Sequence, residues 1–439
     1  MNPSSPISFD LILEILSRLP SKSVARFRCV SKLWASMLAS THFKELFLTR
    51  SSAKPRLLFA IVENGDKPGS SRDEPCGGLK YEACGVWSFF SLPQLEYPYE
   101  KSNLVAAAEF HVKFSPDDLV INHSTNLKYC SCGYNSGLIY IHGYRYQARP
   151  LICNPITGRY VVTPKRYTYK KAYSFFGFDP IDKKYKVLSM VYLGGPGRHK
   201  ILTFEDGDLI WRHIKCPIKH DVRSDGVCIN GVLYYLGDKN HRNDYVIVCF
   251  DVRSEKFTFI DIERFCRLIN YKGKLAVVYW KDDVDIYERH HFDMDVYSFM
   301  ENSLDANPVN ELHVWVLEDV EKHEWLKYVY TLTNDEFFRR RHVSFVGATA
   351  SGDIVFSMRK YISEQPFYVF YFNPERTTLQ RVEIQGFGEA FKKRCSVVTF
   401  VNHVEDLGVN DLELLKSVHP PLVDPCDVSE SDSDYDPWG

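Results

Sequence analysis

Over the first fifty residues the apolar positions return at helical spacing. Leu11, Ile12, Ile15, Leu16 and Leu19 recur as one face of a helix, and Ser8 stands where its oxygen can cap the free amides of the first turn. Pro20 ends that helix, because proline has no amide hydrogen and the residue before it avoids helical angles. The pattern then predicts a second helix, capped by Ser21 or Ser23, with Val24, Phe27, Ser31, Trp34 and Leu38 on one stripe. A third, shorter helix runs from Thr41 to Leu48 and carries Phe43 and Phe47. So short a unit encloses little core, so part of its apolar surface needs a partner to cover it. Trp34, placed with Val24 and Phe27, is expected inside that core.

From about residue 55 the helical period gives way to short apolar runs bounded by turn signals, as in Arg56-Leu57-Leu58-Phe59-Ala60-Ile61-Val62, so strands dominate. Two small patterns recur. In the first, an apolar residue precedes Asn or Asp, usually with Pro next, and an apolar residue follows seven positions after the start. Cys153-Asn154-Pro155 with Tyr160, Phe178-Asp179-Pro180 with Tyr185, Phe250-Asp251 with Phe257, and Phe372-Asn373-Pro374 with Leu379 are its examples. The side-chain oxygen opens a turn and the later residue re-enters the core.

In the second pattern a polar residue and a glycine lead into alternating apolar positions: Ser136-Gly137-Leu138, Asn230-Gly231-Val232, Lys272-Gly273-Lys274 and Ser351-Gly352-Asp353. Each suits a tight hairpin. The two patterns alternate along the chain, so a hairpin-turn-strand unit repeats at the ~40 to 50 residues of a propeller blade. About six blades are expected; a pair of β-sandwiches would not require this recurrence.

Composition narrows the function. The 439 residues carry 54 Lys plus Arg and 56 Asp plus Glu, so no global basic field exists to hold nucleic acid or an anionic membrane. No run approaches the ~18 apolar residues of a membrane span, and the N-terminus lacks a secretory pattern, so a cytoplasmic or nuclear protein is expected. The twelve cysteines include no CxxC pair, and most sit among apolar neighbours, as core residues of a reducing compartment do. Cys130 and Cys132 would share one strand face, but no second pair completes a zinc site.

Catalytic constellations are missing from the pattern: there is no GxSxG elbow, P-loop or HExxH helix, and Gly194-Gly195-Pro196-Gly197 lacks the dinucleotide-binding spacing. Glu288, His290, His291, Asp293 and Asp295 read as a solvated loop rather than a metal site. Asp206, Asp208, Asp221 and Asp225 are the acids a sugar-active propeller could use. The Asn122-His123-Ser124 sequon is expected to stay unmodified. Residues 420 to 439, rich in Asp and Ser, are expected to form a disordered acidic tail in which Ser429, Ser431 and Ser433 could accept phosphate.

The N-terminal segment resembles the F-box, in its plant version. Asp10-Leu11-Ile12-Leu13-Glu14-Ile15-Leu16-Ser17-Arg18-Leu19-Pro20, Lys22-Ser23-Val24, Arg26-Phe27-Arg28-Cys29-Val30-Ser31-Lys32 and Trp34 carry the likeness. Ser8 stands where family members usually have proline. Roughly residues 100 to 400 resemble the F-box-associated, Kelch-like domain, through Cys153-Asn154-Pro155, Phe176-Gly177-Phe178-Asp179, Tyr185-Lys186-Val187, Trp211-Arg212 and Cys228-Ile229-Asn230-Gly231 with Tyr234-Tyr235.

The resemblance implies an α+β multidomain chain: a three-helix F-box over 1–50, a β-propeller-like domain over 55–405, and the acidic tail. It also implies that Leu11, Ile12, Ile15, Leu16, Leu19, Pro20, Val24, Phe27, Val30, Ser31 and Trp34 bind a Skp-family adaptor and, through it, a cullin scaffold. The basic cluster Arg18, Lys22, Arg26, Arg28 and Lys32 suits an acidic partner. On this reading the chain is a non-catalytic substrate receptor of an SCF-type ubiquitin ligase, with no cofactor and no metal, taking a protein or glycan-bearing target. The competing readings are a sugar-active or carbohydrate-binding propeller with a helical appendage, an ordinary helical subdomain, and a helix-turn-helix DNA reader. The last is disfavoured because positions 24 to 38 hold no Asn or Gln to read a base.

Overall fold

The computed structural model of the chain describes residues 8–63, 86–95, 99, 104–114, 130–143, 150–164, 172–191, 199–204, 209–239, 243–281, 310–320, 322–332, 335–340, 342–410, 412 and 414–415. The sequon at Asn122, the glycines 194–197, Asp206, Asp208, the Glu288 to Asp295 stretch, the Cys130 side chain and the acidic tail lie outside the described residues.

Four helices open the chain, where the pattern predicts three: α1 (Phe9–Leu16), α2 (Ser21–Arg28), α3 (Lys32–Ala39) and α4 (Thr41–Ala53). The expected second helix is broken at Cys29 to Ser31. There the Ser31 hydroxyl accepts the Trp34 amide at 3.2 Å and starts α3 as its cap, so Ser31 is not a stripe residue. Ser8 caps α1 as expected, accepting the Leu11 amide at 3.3 Å. Neither Ser21 nor Ser23 caps α2, whose preceding residue is Pro20. The last helix extends beyond Leu48 to Ala53.

The strands form six sheets arranged as a six-bladed propeller. The second blade holds Cys130–Asn135, Leu138–Gly143, Leu151–Cys153 and Tyr160–Val162, and the third Ala172–Asp179, Lys184–Val191, His199–Phe204 and Trp211–Ile214. The fourth spans Asp221–Val222 to Phe257–Asp261, the fifth Arg267–Tyr271 to Glu324–Thr331, and the sixth Val343–Ala348 to Thr378–Gln385. The first blade joins both parts of the chain: Cys395–His403 is followed outward by Arg56–Glu63, Val86–Pro93 and Glu109–Phe114, and the two-residue strand Lys360–Tyr361 pairs with its other edge. Inner strands of neighbouring blades approach one another around the axis, and Tyr134, its ring tilted against Phe400 at 5.6 Å between centroids, completes the ring of blades.

The middle strands of the blades are buried on both faces, which is why they read as continuous apolar runs. In Tyr245–Asp251 the alternation of side chains divides the work: Ile247 and Cys249 pack toward the fifth blade, while Val246, Val248 and Phe250 pack toward the third. Six apolar clusters of this kind fill the six gaps between blades.

The turn chemistry is as the sequence predicts. Asn154 Oδ1 accepts the amides of Ile156 and Thr157 at 2.9 and 3.1 Å, and Asp179, Asp251 and Asn373 accept equivalent turn amides at 2.6 to 2.9 Å. Their places differ, however. Those at Asn154, Asp251 and Asn373 join third to fourth strands, whereas Asp179 joins the first and second strands of its blade, where other blades use the glycine hairpin. At Asn230 and Gly231 both residues have positive φ, 49° and 85°, the backbone twist that a two-residue hairpin demands.

One segment departs from the simple blade order. Leu104–Ala107 leaves the first blade, pairs in parallel with Thr378–Gln385 on the outer edge of the sixth, and returns. The chain's two ends are therefore tied twice.

Candidate functional site

The helical module carries its own core of Leu13, Leu16, Val24, Leu38, Phe43 and Phe47, and Leu407 from the far end of the chain completes it. Ile12, Leu19, Phe27 and Trp34 pack half-buried against this core. Trp34 thus does not sit inside the module as the sequence stripe suggests: the break before α3 swings it outward, where it stacks on Phe27 at 5.4 Å.

Among the residues singled out from sequence, Leu16 and Val24 are interior and Leu11, Ile15, Pro20, Val30 and Ser31 are exposed. Phe9 (59% exposed), Leu11 (53%), Ile15 (52%), Val30 (65%) and Leu33 (60%) present large apolar side chains to solvent within 25 residues. Phe9 and Leu33 escaped the sequence reading. Both lie off the helical stripes that were read as the apolar faces, so their apolar character was not counted as part of a surface.

Polar contacts hold this surface in place. Glu14 accepts Arg18 at 3.0 Å and also Arg50, tying α1 to α4. Those two hydrogen bonds hold the Glu14 carboxyl below its usual pKa. Of the basic cluster, Arg26 and Lys32 face solvent, while Lys22 turns to the propeller and donates to the His111 carbonyl at 3.0 Å.

The module is seated on the first blade at the point where the ring closes. Ser21 donates its backbone amide to Glu405 Oε2 at 2.9 Å, so a carboxylate 384 residues away caps α2 in place of a local serine. Ser51 Oγ in α4 accepts the Glu405 amide at 2.8 Å, and the helical turn Leu407–Asn410, α5, packs on α4. Beneath the seat, His111 Nε2 lies 2.6 Å from Ser91 Oγ, and His403 Nδ1 lies 3.1 Å from Tyr134 Oη. Burial first, then Lys22 and Arg56, pushes His111 down to about 3. Burial, with His111 and Arg56, does the same to His403, also to about 3.

Of the acids considered for sugar chemistry, Asp206 and Asp208 lie outside the described residues, Asp221 is buried at the edge of the fourth blade opposite Asp238, and Asp225 is exposed. A different cluster, not singled out from the sequence, does form: His199, Cys216 and His220, all buried, bring their donor atoms within 4.8 Å of one another.

Residues 5–46 match the F-box domain, and residues 78–404, three-quarters of the chain, match the F-box associated beta propeller domain. The chain is 66% identical to F-box protein At2g16450 of Arabidopsis thaliana over 97% of its own length and 99% of the relative's. It is 64% identical to F-box protein At2g15640 of the same plant, over 98% and 100%. Among solved structures it is similar to TolB from Acinetobacter baumannii, with 11% identity, TM-score 0.40, and 80% and 67% of the two chains covered. It is also similar to a Synechocystis apocarotenoid oxygenase, with 10% identity, TM-score 0.39, and 77% and 78% covered. Neither likeness bears on function. With both segments matched and whole-length relatives of this identity, the chain belongs to the plant F-box proteins that carry an F-box associated β-propeller.

Proposed function

We propose that the chain is the substrate-recognition subunit of an SCF-type ubiquitin ligase. The helical module binds a Skp-family adaptor, and through it a cullin scaffold, while propeller loops hold a target protein for ubiquitination and degradation. The observation that carries this reading is the exposed group Phe9, Leu11, Ile15, Val30 and Leu33 on a module of F-box sequence. Large apolar side chains gathered on one small unit and left in water favour a partner that covers them. Arg26 and Lys32 beside them add a positive rim suited to an acidic adaptor.

On this reading the chain performs no chemistry of its own; its contribution is placement. Loops on a rigid scaffold carry recognition, and the propeller supplies that scaffold. Eight free cysteines among the described residues suit a reducing compartment, the cytoplasm or nucleus, where such ligases act.

Co-purification of the full chain with a recombinant Skp-family adaptor tests the proposal. Wild type should retain the adaptor and Ile15→Asp should lose it while keeping its melting temperature. Failure of the folded wild-type chain to bind any Skp-family adaptor would exclude the reading.

A further inference from the structure

His199 opens the third strand of the third blade, and Cys216 and His220 lie on the loop joining that blade's last strand to Asp221–Val222 of the fourth. The three side chains meet in the gap between the blades, walled by Ile214, Ile218, Tyr235 and Phe257. Cys216 is fully buried, and His199 and His220 are 99% and 97% buried. Cys216 Sγ lies 4.0 Å from His220 Nδ1, and the imidazole rings of His199 and His220 are 5.7 Å apart between centroids.

His199 is the informative member. Both of its ring nitrogens are buried and neither has a hydrogen-bond partner. Buried polar groups are nearly always satisfied, so an imidazole left bare on both sides needs an explanation, and a bound ion is one of the few available.

We propose that His199, Cys216 and His220 form a structural site for one transition-metal ion of the zinc class, clamping the third blade to the fourth. Two imidazoles and one thiol are the donors that such ions select, and the absence of a carboxylate among the three disfavours calcium and magnesium. Zn–S of about 2.3 Å and Zn–N of about 2.0 to 2.1 Å place donors roughly 3.3 to 3.6 Å apart in a tetrahedron. The present spacing, at most 4.8 Å, therefore contracts by up to about 1.5 Å when the ion enters, a shift that rotation of the side chains supplies. The Ile218 carbonyl, 3.4 Å from Sγ and 3.3 Å from Nδ1, stands at the position of a fourth oxygen donor.

The surroundings are those of a supported ligand set. His220 Nε2 lies 2.9 Å from Tyr235 Oη, a contact that fixes the ring and leaves Nδ1 turned to the centre of the cluster. A side chain at Gly237 would press on the His220 ring, its Cβ only 3.0 Å from Cδ2, so bare backbone there makes room for the ring. Burial keeps the His199 imidazole neutral, pushed down to about 4, the form that can donate a lone pair. Burial also raises the Cys216 thiol to about 11, so the thiolate would form only as the metal displaces its proton. Asp221, next to His220, offsets the positive charge left after one thiolate meets a divalent ion.

The test uses the full chain, stripped with chelator and titrated with zinc chloride. One zinc per chain by mass spectrometry of bound metal is expected, with a rise in melting temperature on reloading. Cobalt(II) should give the thiolate-to-metal charge-transfer absorption that marks cysteine ligation, absent in Cys216→Ser. His199→Leu should lose the ion. Tyr235→Phe, which keeps the ring and removes only the hydroxyl, should fold and bind about 10- to 100-fold more weakly. Wild-type protein that takes up no zinc or cobalt above the Cys216→Ser level would overturn the proposal and leave His199 as a packed core histidine. Stoichiometric copper with zinc refused would overturn the zinc assignment.

Discussion

Ser21 at the start of α2 and Glu405 just past the last propeller strand are joined by a 2.9 Å hydrogen bond from backbone amide to carboxylate. The contact makes the helical module and the closure of the ring one mechanical unit, and Leu407 does the same for their apolar packing. Two separate melting transitions, which independent cores would give, are therefore not expected. Glu405→Ala removes a helix cap and should cost about 0.5 to 2 kcal/mol. Leu407→Ala opens a hole in a small core and should cost ~2 to 4 kcal/mol. Differential scanning calorimetry of the full chain should show one transition lowered in both variants; a module that melts alone while the propeller transition stays put would refute the shared core.

Exposed and interior apolar residues of the module should separate cleanly on mutation. Ile15→Asp and Leu33→Asp face solvent and should leave stability within about 0.5 kcal/mol. Val24→Asp buries an unpaired carboxylate in the shared core and should be the most destabilising of the four. Trp34→Ala falls between, because its half-buried ring rests on Phe27, and should cost ~1 to 2 kcal/mol. Urea unfolding curves for the four variants check the order, and a Trp34→Ala loss as large as that of Val24→Asp would contradict the outward position of the ring.

Acid should act on the seat of the helical module. His111 and His403 are both held near pKa 3, against about 6.5 in an unfolded chain. A histidine depressed in the folded state takes its proton more readily when unfolded, so the stability is complete above pH ~6.5 and is lost as pH falls toward 3. Each group contributes a slope of up to ~1.4 kcal/mol per pH unit across that window. His403→Gln keeps a polar partner for Tyr134 and should flatten the slope. Unfolding free energies at pH 7.5, 5.5 and 4.5 measure it, and parallel curves for wild type and variant would show that His403 does not titrate on unfolding.

Local chemistry was legible in the sequence and long-range assembly was not. The Ser8 cap, the Asn154 and Asn373 turns and the Asn230-Gly231 hairpin are decided by a few neighbouring residues, and each forms as the pattern predicts, whereas the first helix ends at Leu16, short of the stop expected at Pro20. The repeat of those turns carried the six blades. The break at Ser31 was missed because a serine on a helical stripe and a serine capping a new helix look alike until the backbone turns. Glu405 capping α2 was out of reach, since partners 384 residues apart leave no periodic trace. The His199 cluster shows both limits: Cys216 and His220 are visible as a Cys-x-x-x-His spacing, but only the strand pairing of the third blade brings His199 to them.

The parallel strand Leu104–Ala107 depends on one residue of the sixth blade. Ala108 donates its amide to the Gln385 carbonyl at 2.8 Å, and the chain can lie this close only because Gly386 follows. At Gly386 φ is +92°, and a Cβ there would stand 2.4 Å from the Ala108 carbonyl oxygen, a backbone atom that cannot rotate away. Gly386→Ala therefore combines an unfavourable left-handed conformation with a clash and should cost at least ~1 to 2 kcal/mol. The loss should be local at first. Phe90, Ala108, Phe387 and Phe391 share the cluster between the sixth and first blades, so loosening the strap exposes that gap without touching the third, fourth or fifth blade. Hydrogen exchange measured by mass spectrometry should show faster exchange in residues 104–114 and 378–391 of the variant, and unchanged protection in Tyr245–Asp251. Uniformly faster exchange in every blade would mean that the strap is part of the global folding unit, and unchanged exchange at 104–107 would mean that it does not hold the edge at all.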